Sequence, residues 1–328
     1  MGVTARLDRF QQRHSWCGFP LAVIYKFVDD QGGYLAVLIT YYGFVSLFPL
    51  LLLLVSVLGF TLEGNPALQQ ALLGSALQHF PIVGPQLQQN VGAIHGSSLG
   101  VVLGIAGAVY GGLGVSVAIQ MALNRVWAVP RFARPDPVVS RLRGLVLFVL
   151  LGAVILTTTA LAAVGAVAAG FGSEIGTGVR VGAFVIAIAA NVAAFLILFR
   201  VLTARNIALA DLIPGAVGAG VAVQMLQTVG ALFVSRQLAG VSQIYGVFGL
   251  VLGLLAWLYL QAVILVFCAE INAVRARRLW PRNLLTPFID GVVLTPADKA
   301  AYRSYADAER YTSSAQVHTT FDHPHDPK

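Results

Sequence analysis

LAVLITYYGFVSLFPLLLLLVSVLGF, residues 35–60, runs for 26 residues without a charged side chain. A helix rising about 1.5 Å per residue needs about 20 mostly apolar residues to cross a hydrocarbon core of roughly 30 Å, so this stretch spans with length to spare. It must tilt or bend, and Pro49 marks the expected kink because proline removes a helical hydrogen bond. Five further stretches meet the same test, at 98–123, 144–170, 179–199, 208–235 and 244–269. The expected fold class is all-α, a polytopic bundle of six transmembrane helices over 35–275. An N-terminal interfacial segment, 1–34, precedes it, and a basic, then disordered tail, 276–328, follows.

Composition points the same way. Of 328 residues, 57% are hydrophobic and 11% charged. A soluble domain carries roughly 25% charged residues, so a soluble enzyme and a disordered chain are both excluded. Cys17 and Cys268 are too few for a disulfide framework, and neither has the second cysteine or nearby histidine that zinc ligation needs. Residues 1–34 hold Arg6, Arg9, Arg13, Lys26, Asp29 and Asp30 and no long apolar run, so no cleavable signal peptide is expected.

The net charge is +7, and its distribution sets orientation. Alternate connecting segments carry nineteen Lys and Arg on one side against two, Arg180 and Arg236, on the other. By the positive-inside rule both termini are cytoplasmic. Trp127 and Trp280 follow the second and sixth spans, where interfacial tryptophans are expected. In the outer loop 61–97, Leu68, Leu72, Leu77 and Phe80 share a broad helical face interleaved with Gln69, Gln70 and Gln78, which predicts amphipathic helices. Residues 19–28 read as a similar interfacial piece on the inside.

Two kinds of face stand out within the spans. Gly100, Gly104, Gly107, Gly111 and Gly114 form a glycine ridge on the second, and Gly246, Gly249 and Gly253 a similar one on the sixth. Small residues let helix backbones approach closely in lipid. A nucleotide-binding loop is excluded, since no strand precedes these glycines and no lysine follows. The other face is polar: Ser116, Gln120 and Asn124 on the second span, Gln224 and Gln227 on the fifth, Thr40, Tyr41, Tyr42 and Ser46 on the first, and Asn191 on the fourth. Such groups must face inward, either lining a path or joining helices by hydrogen bonds. Glu270 and Asp211 lie near span ends. Glu270 either pairs with Arg275 or Arg277 or couples proton movement, the default reading of an intramembrane acid.

Catalytic chemistry finds little to work with. His14, His79, His95, His318, His323 and His325 all lie outside the spans, and no zinc-protease, nucleophile-elbow or Walker pattern occurs. The chain reads as a non-enzyme with no catalytic set, no metal and no cofactor. Basic patches interleaved with aromatics, as RNA binding needs, are missing, so no nucleic-acid partner is expected. The expected partners are membrane lipids, with anionic headgroups drawn to Arg131, Arg134, Arg141 and Arg143 and to the arginines at 275–282.

Residues 29–60, DDQGGYLAVLITYYGFVSLFPLLLLLVSVLGF, resemble the opening of the YihY/BrkB family of bacterial inner-membrane proteins. The resemblance continues through ALNRVWAVP (122–130), IPG (213–215), SQIYGVFG (242–249), WLYL (257–260), AEINAV (269–274) and LWPR (279–282). It implies a six-helix inner-membrane fold with both ends in the cytoplasm, linked to envelope integrity and to serum resistance in pathogens. It carries over no catalytic residues, and the family's old label, ribonuclease BN, finds no support in these residues. Three functions are therefore expected to compete: transport of a lipid, amphiphile or small solute; a non-transporting scaffold for envelope partners; and, last, a membrane-bound ribonuclease. Deleting 283–328 is expected to separate the first two, because a bundle transporter survives it.

Overall fold

The computed structural model describes residues 2–61, 98–168, 173–286 and 292–321, so the amphipathic helices expected in the 61–97 loop lie outside the described residues. Among those residues every regular element is helical. Two short helices, α1 (Gly2–Arg13) and α2 (Ser15–Asp29), lead into α3 (Gly32–Thr61). Then come α4 (Ser98–Val126), a single 3-10 turn at Arg131–Ala133, α5 (Pro137–Ala168) and α6 (Ser173–Leu202). α7 (Leu209–Arg277) and α8 (Pro296–Ala308) complete the order.

α7 cannot be a straight rod. Its 69 residues would reach ~100 Å at the helical rise. Yet the Gly215 amide donates to Asn272 Oδ1 at 2.6 Å, and Arg275 Nη1 donates to the Ala210 carbonyl at 3.2 Å. The chain doubles back, so an arm over Leu209–Gly230 lies beside one over Val251–Arg277. A Cβ on Gly215 would collide with the Cys268 carbonyl and the Asn272 amide, so only glycine permits this approach.

Among the described residues four stretches are long and apolar enough to cross a membrane: Pro137–Val154, Val181–Leu202, Leu209–Gly230 and Val251–Arg277. Gly32–Leu47 is a shorter apolar helix. The first two expected spans fall on α3 and α4, which are 30 and 29 residues long and many of whose side chains lie outside the described set. The outward faces are apolar, as with Val37 on α3, Phe184 and Val185 on α6, and Met225 and Val229 on α7. That shell belongs in hydrocarbon, where the helices satisfy their own backbone groups.

The most extensive helix pair is α3 with α4, and the glycine ridge explains it. A Cβ on Gly111 would sit 2.6 Å from Ser46 Cα, and one on Gly114 2.5 Å from Tyr42 Cδ1. Gly100, Gly104 and Gly107 continue along α4, while Gly249 and Gly253 are half-buried on the second arm of α7. The dense core gathers at one end of the bundle, where Leu123, Val126, Phe199, Leu202, Leu212 and Val266 meet. Trp127 is part of that core, 3% exposed, and not the interfacial anchor its position suggested. The exposed tryptophan is Trp16 on α2, at 71%.

The polar, Pro-punctuated tail contains α8, which the sequence reading did not foresee. Thr295 Oγ1 accepts from the Asp298 amide at 3.1 Å, and Asp298 Oδ2 accepts from the Thr295 amide at 3.0 Å. This reciprocal capping box, with Pro296 in the first turn, starts the helix. Ala297, Ala301 and Ala308 form its buried side.

Gly111→Ala and Gly215→Ala are each expected to destabilise the protein by about 1–3 kcal/mol, the range for forcing a methyl into a packed site. Gly182→Ala, inside α6 with nothing within 4 Å of its Cβ, should not lower the melting temperature in detergent and should raise it slightly. A melting curve of Gly111→Ala that overlays the wild type would contradict the α3–α4 contact.

Candidate functional site

The most buried charges lie at the densely packed end. Lys26 on α2 is 1% exposed, yet its ammonium uses its donors fully. It donates to Asp30 and, at 2.8 Å, to the Val126 carbonyl at the end of α4, and lies 3.0 Å from Glu270 Oε2 on the second arm of α7. Taking ions out of water costs several kcal/mol each, so such a cluster persists only when its members face one another. Burial works against the Lys26 charge, but Glu270 and Asp30 outweigh it and hold the ammonium above its ordinary 10.5. The sealed Glu270 carboxylate meets the ammonium through Oε2, and its Oε1 has no hydrogen-bond partner among the described residues.

From there the charges alternate outward. Arg125 Nε is 3.7 Å from Asp30 Oδ1, and Arg125 Nη1 is 3.0 Å from Glu309 Oε1. Glu309 Oε2 meets Arg131 Nη2 at 2.8 Å. The row Glu270, Lys26, Asp30, Arg125, Glu309, Arg131 thus runs from the bundle interior to the surface.

A second cluster surrounds Arg282, 1% exposed just past α7. Its Nε donates to Asp298 Oδ1 at 2.8 Å and its Nη1 to Asp29 Oδ2 at 2.7 Å. Tyr302 and Tyr25 place their rings 5.5 and 6.0 Å from the guanidinium. Nearby, Leu284 donates its amide to Asp8 at 2.9 Å and accepts from Tyr25 at 2.8 Å. The adjacent acids Asp29 and Asp30 therefore serve different clusters, and α1, α2 and α8 are fastened to the chain that leaves α7.

From sequence, Lys26 counts only toward orientation, Arg282 toward orientation and anionic headgroups, and Arg275 or Arg277 is the expected partner of Glu270. The partner is Lys26. Of this arrangement only the Lys26–Asp30 spacing of four, which puts both on one helical face, was locally legible.

The polar stripes mostly join helices. Gln120 Nε2 donates to Ser116 Oγ at 3.1 Å and to the Ser140 carbonyl of α5 at 2.7 Å. Asn124 Oδ1 accepts from the Ala204 amide at 2.8 Å, fixing the chain that leaves α6. Asn191 Nδ2 donates to Gln224 Oε1 at 3.2 Å across α6 and α7. Ser46 Oγ turns back to the Gly43 carbonyl at 2.9 Å. Tyr42 is half-buried against Gly114, and Gln227 is half-buried on α7. Tyr41 packs edge-on against the Tyr42 ring at 5.4 Å but is itself 60% exposed.

An open groove of about 420 Å³ lies beside α2, lined by Trp16, Phe19, Pro20, Trp280 and Arg275. It is apolar apart from the one guanidinium. Among the described residues no three His, Cys, Asp or Glu side chains gather as metal ligands would.

An apolar outer shell around helices that gather their buried ion pairs at one end defines a membrane-embedded helical protein. More particularly, the family described as virulence factor BrkB matches residues 23–286, and the chain belongs to it. No curated protein and no solved structure matches the chain.

Lys26→Met would leave two acids without their ammonium. Breaking a buried pair in this way costs about 3–5 kcal/mol, so a large drop in melting temperature in detergent is expected. Glu270→Gln, which removes the innermost acid's charge but leaves Lys26 with Asp30, should cost less. Equal stability of Lys26→Met and wild type would show that the cluster holds nothing together.

Proposed function

We propose that the chain is a six-span protein of the bacterial inner membrane, with both termini cytoplasmic. In this reading it supports envelope integrity by moving a lipid or related amphiphile, taken up at the inner leaflet, and it acts without enzymatic chemistry. The observation that carries the reading is the groove beside α2. It is an open groove of about 420 Å³, a shape that suits an acyl chain lying along the surface more than an enclosed small ligand. Trp16, Phe19, Pro20 and Trp280 offer an apolar wall to an acyl chain, and Arg275 at its edge suits an anionic head. The exposed apolar residues Trp16, Ile24 and Val28 lay α2 along the membrane surface, which brings the groove to headgroup level.

A second reading, a scaffold that binds envelope partners and moves nothing, is favoured by the polar stripes. Gln120, Asn124, Asn191 and Gln224 spend their side chains on other helices, as structural groups do. Deleting 283–328 no longer separates the two readings cleanly, because it takes Asp298 from the buried Arg282. Flux does separate them.

Wild-type protein in proteoliposomes should accelerate movement of a fluorescent anionic phospholipid between leaflets. Trp16→Ala, at an exposed side chain of the groove wall, should slow it several-fold without changing thermal stability. Normal flux in that variant would sink the groove, and no flux from wild type, with complementation intact, would leave the scaffold.

A further inference from the structure

We propose that Arg125, Arg131 and Arg134 form a binding site for a phosphate-type anion, which Glu309 of the chain's own tail occupies in this structure. Two guanidinium groups from one short segment hold a single carboxylate, and a third, Arg134, lies close enough to add its charge. Arg125 Nη1 takes Oε1 at 3.0 Å, and Arg131 takes Oε2 through both Nε and Nη2 at 2.8 Å. Arg134, which donates its Nε to the Val129 carbonyl at 3.2 Å, adds a third positive charge. Each oxygen of the anion meets a different arginine, a geometry that fits phosphate as well as carboxylate.

Two observations mark Glu309 as a replaceable occupant. The positive charge is in excess: burial and the neighbouring Arg131 and Arg125 all disfavour the Arg134 charge, and against the three arginines stand Glu309 and, 3.7 Å from Arg125, an Asp30 already paired with Lys26. The site is also open, with Arg125, Arg131 and Glu309 34, 42 and 45% exposed, unlike the sealed Lys26 cluster. Exposed pairs of this kind hold weakly. A phosphate presents more acceptor oxygens and at least equal charge, so it competes on better terms.

Displacement has a defined structural extent. Residues 309–311 rest on the 3-10 turn: the Phe132 amide donates to the Arg310 carbonyl at 3.3 Å, Arg310 stacks 5.0 Å from the Phe132 ring, and Arg131 lies 4.8 Å from the Tyr311 ring. α8 itself is tied separately through Asp298 and Arg282. Losing Glu309 therefore loosens the stretch between α8 and Phe321, whose ring stays 5.9 and 5.5 Å from Lys299 and Arg303, and leaves the helix in place. The inference stands whether or not the bundle transports anything.

A spin label on Val317→Cys, in full-length protein with Cys17→Ser and Cys268→Ser, reports the tail. In phosphatidylcholine nanodiscs the label should be restricted, and it should become mobile when phosphatidylglycerol is included or when inorganic phosphate is titrated at constant ionic strength. Release by the lipid alone assigns a headgroup, and release by phosphate alone assigns a soluble anion. Glu309→Gln should be mobile without either and bind the effective anion roughly fivefold more tightly, the worth of one lost surface competitor. Arg131→Gln with Arg134→Gln should bind neither. A label that stays restricted with both anions, or that chloride frees equally, overturns the proposal.

Discussion

One ammonium group organises the charged end of this protein. Lys26 lies between Asp30 and Glu270 with almost no access to solvent, and it also holds the last carbonyl of α4. A lone charge at that depth would be intolerable, so the positions of α2, α4 and the second arm of α7 are bound together. The tight glycine contacts at Gly111 and Gly215 set how closely the long helices approach. The ammonium sets where along their length they stop. Packing in lipid supplies no hydrophobic drive between helices, which leaves close approach and polar ties to choose the arrangement.

The two arginine sites at this end differ in character. Arg282 is sealed between Asp29 and Asp298, and the ion pairs hold its guanidinium charged despite burial. Arg131 and its neighbours face outward around one exposed acid. The first geometry suits permanent fastening and the second suits exchange. Burial, more than the number of ion pairs, distinguishes them.

How much could be read in advance depended on whether the signal was local. The 26-residue apolar run at 35–60 and the glycine ridge announce long helices and close packing without help from elsewhere in the chain. The capping box at Thr295 and Asp298 was equally local, but a segment judged by its overall polarity hid it. The inward-facing polar residues were recognisable as a class, whereas their partners were not. Nothing in the sequence around Asn191 points to Gln224, and nothing near Glu270 points to Lys26. Arg275 and Arg277 were the nearer candidates for Glu270, and proximity along the chain misled. Trp127 misled for a related reason: adjacency to a span end suggested the interface, but the fold brings α6 and α7 over it.

The clasp around Lys26 also has a timetable. A growing polypeptide leaves the ribosome with α2 early and the second arm of α7 late, and Arg282 and Asp298 later still. Each apolar helix is thus inserted before the ion pairs that lock the end can close. Until Glu270 emerges, Lys26 has Asp30 as its only acid, and a nascent chain halted short of that point possesses its helices but lacks their fastening. Maturation of this protein is completed from its last-made part backward to its first.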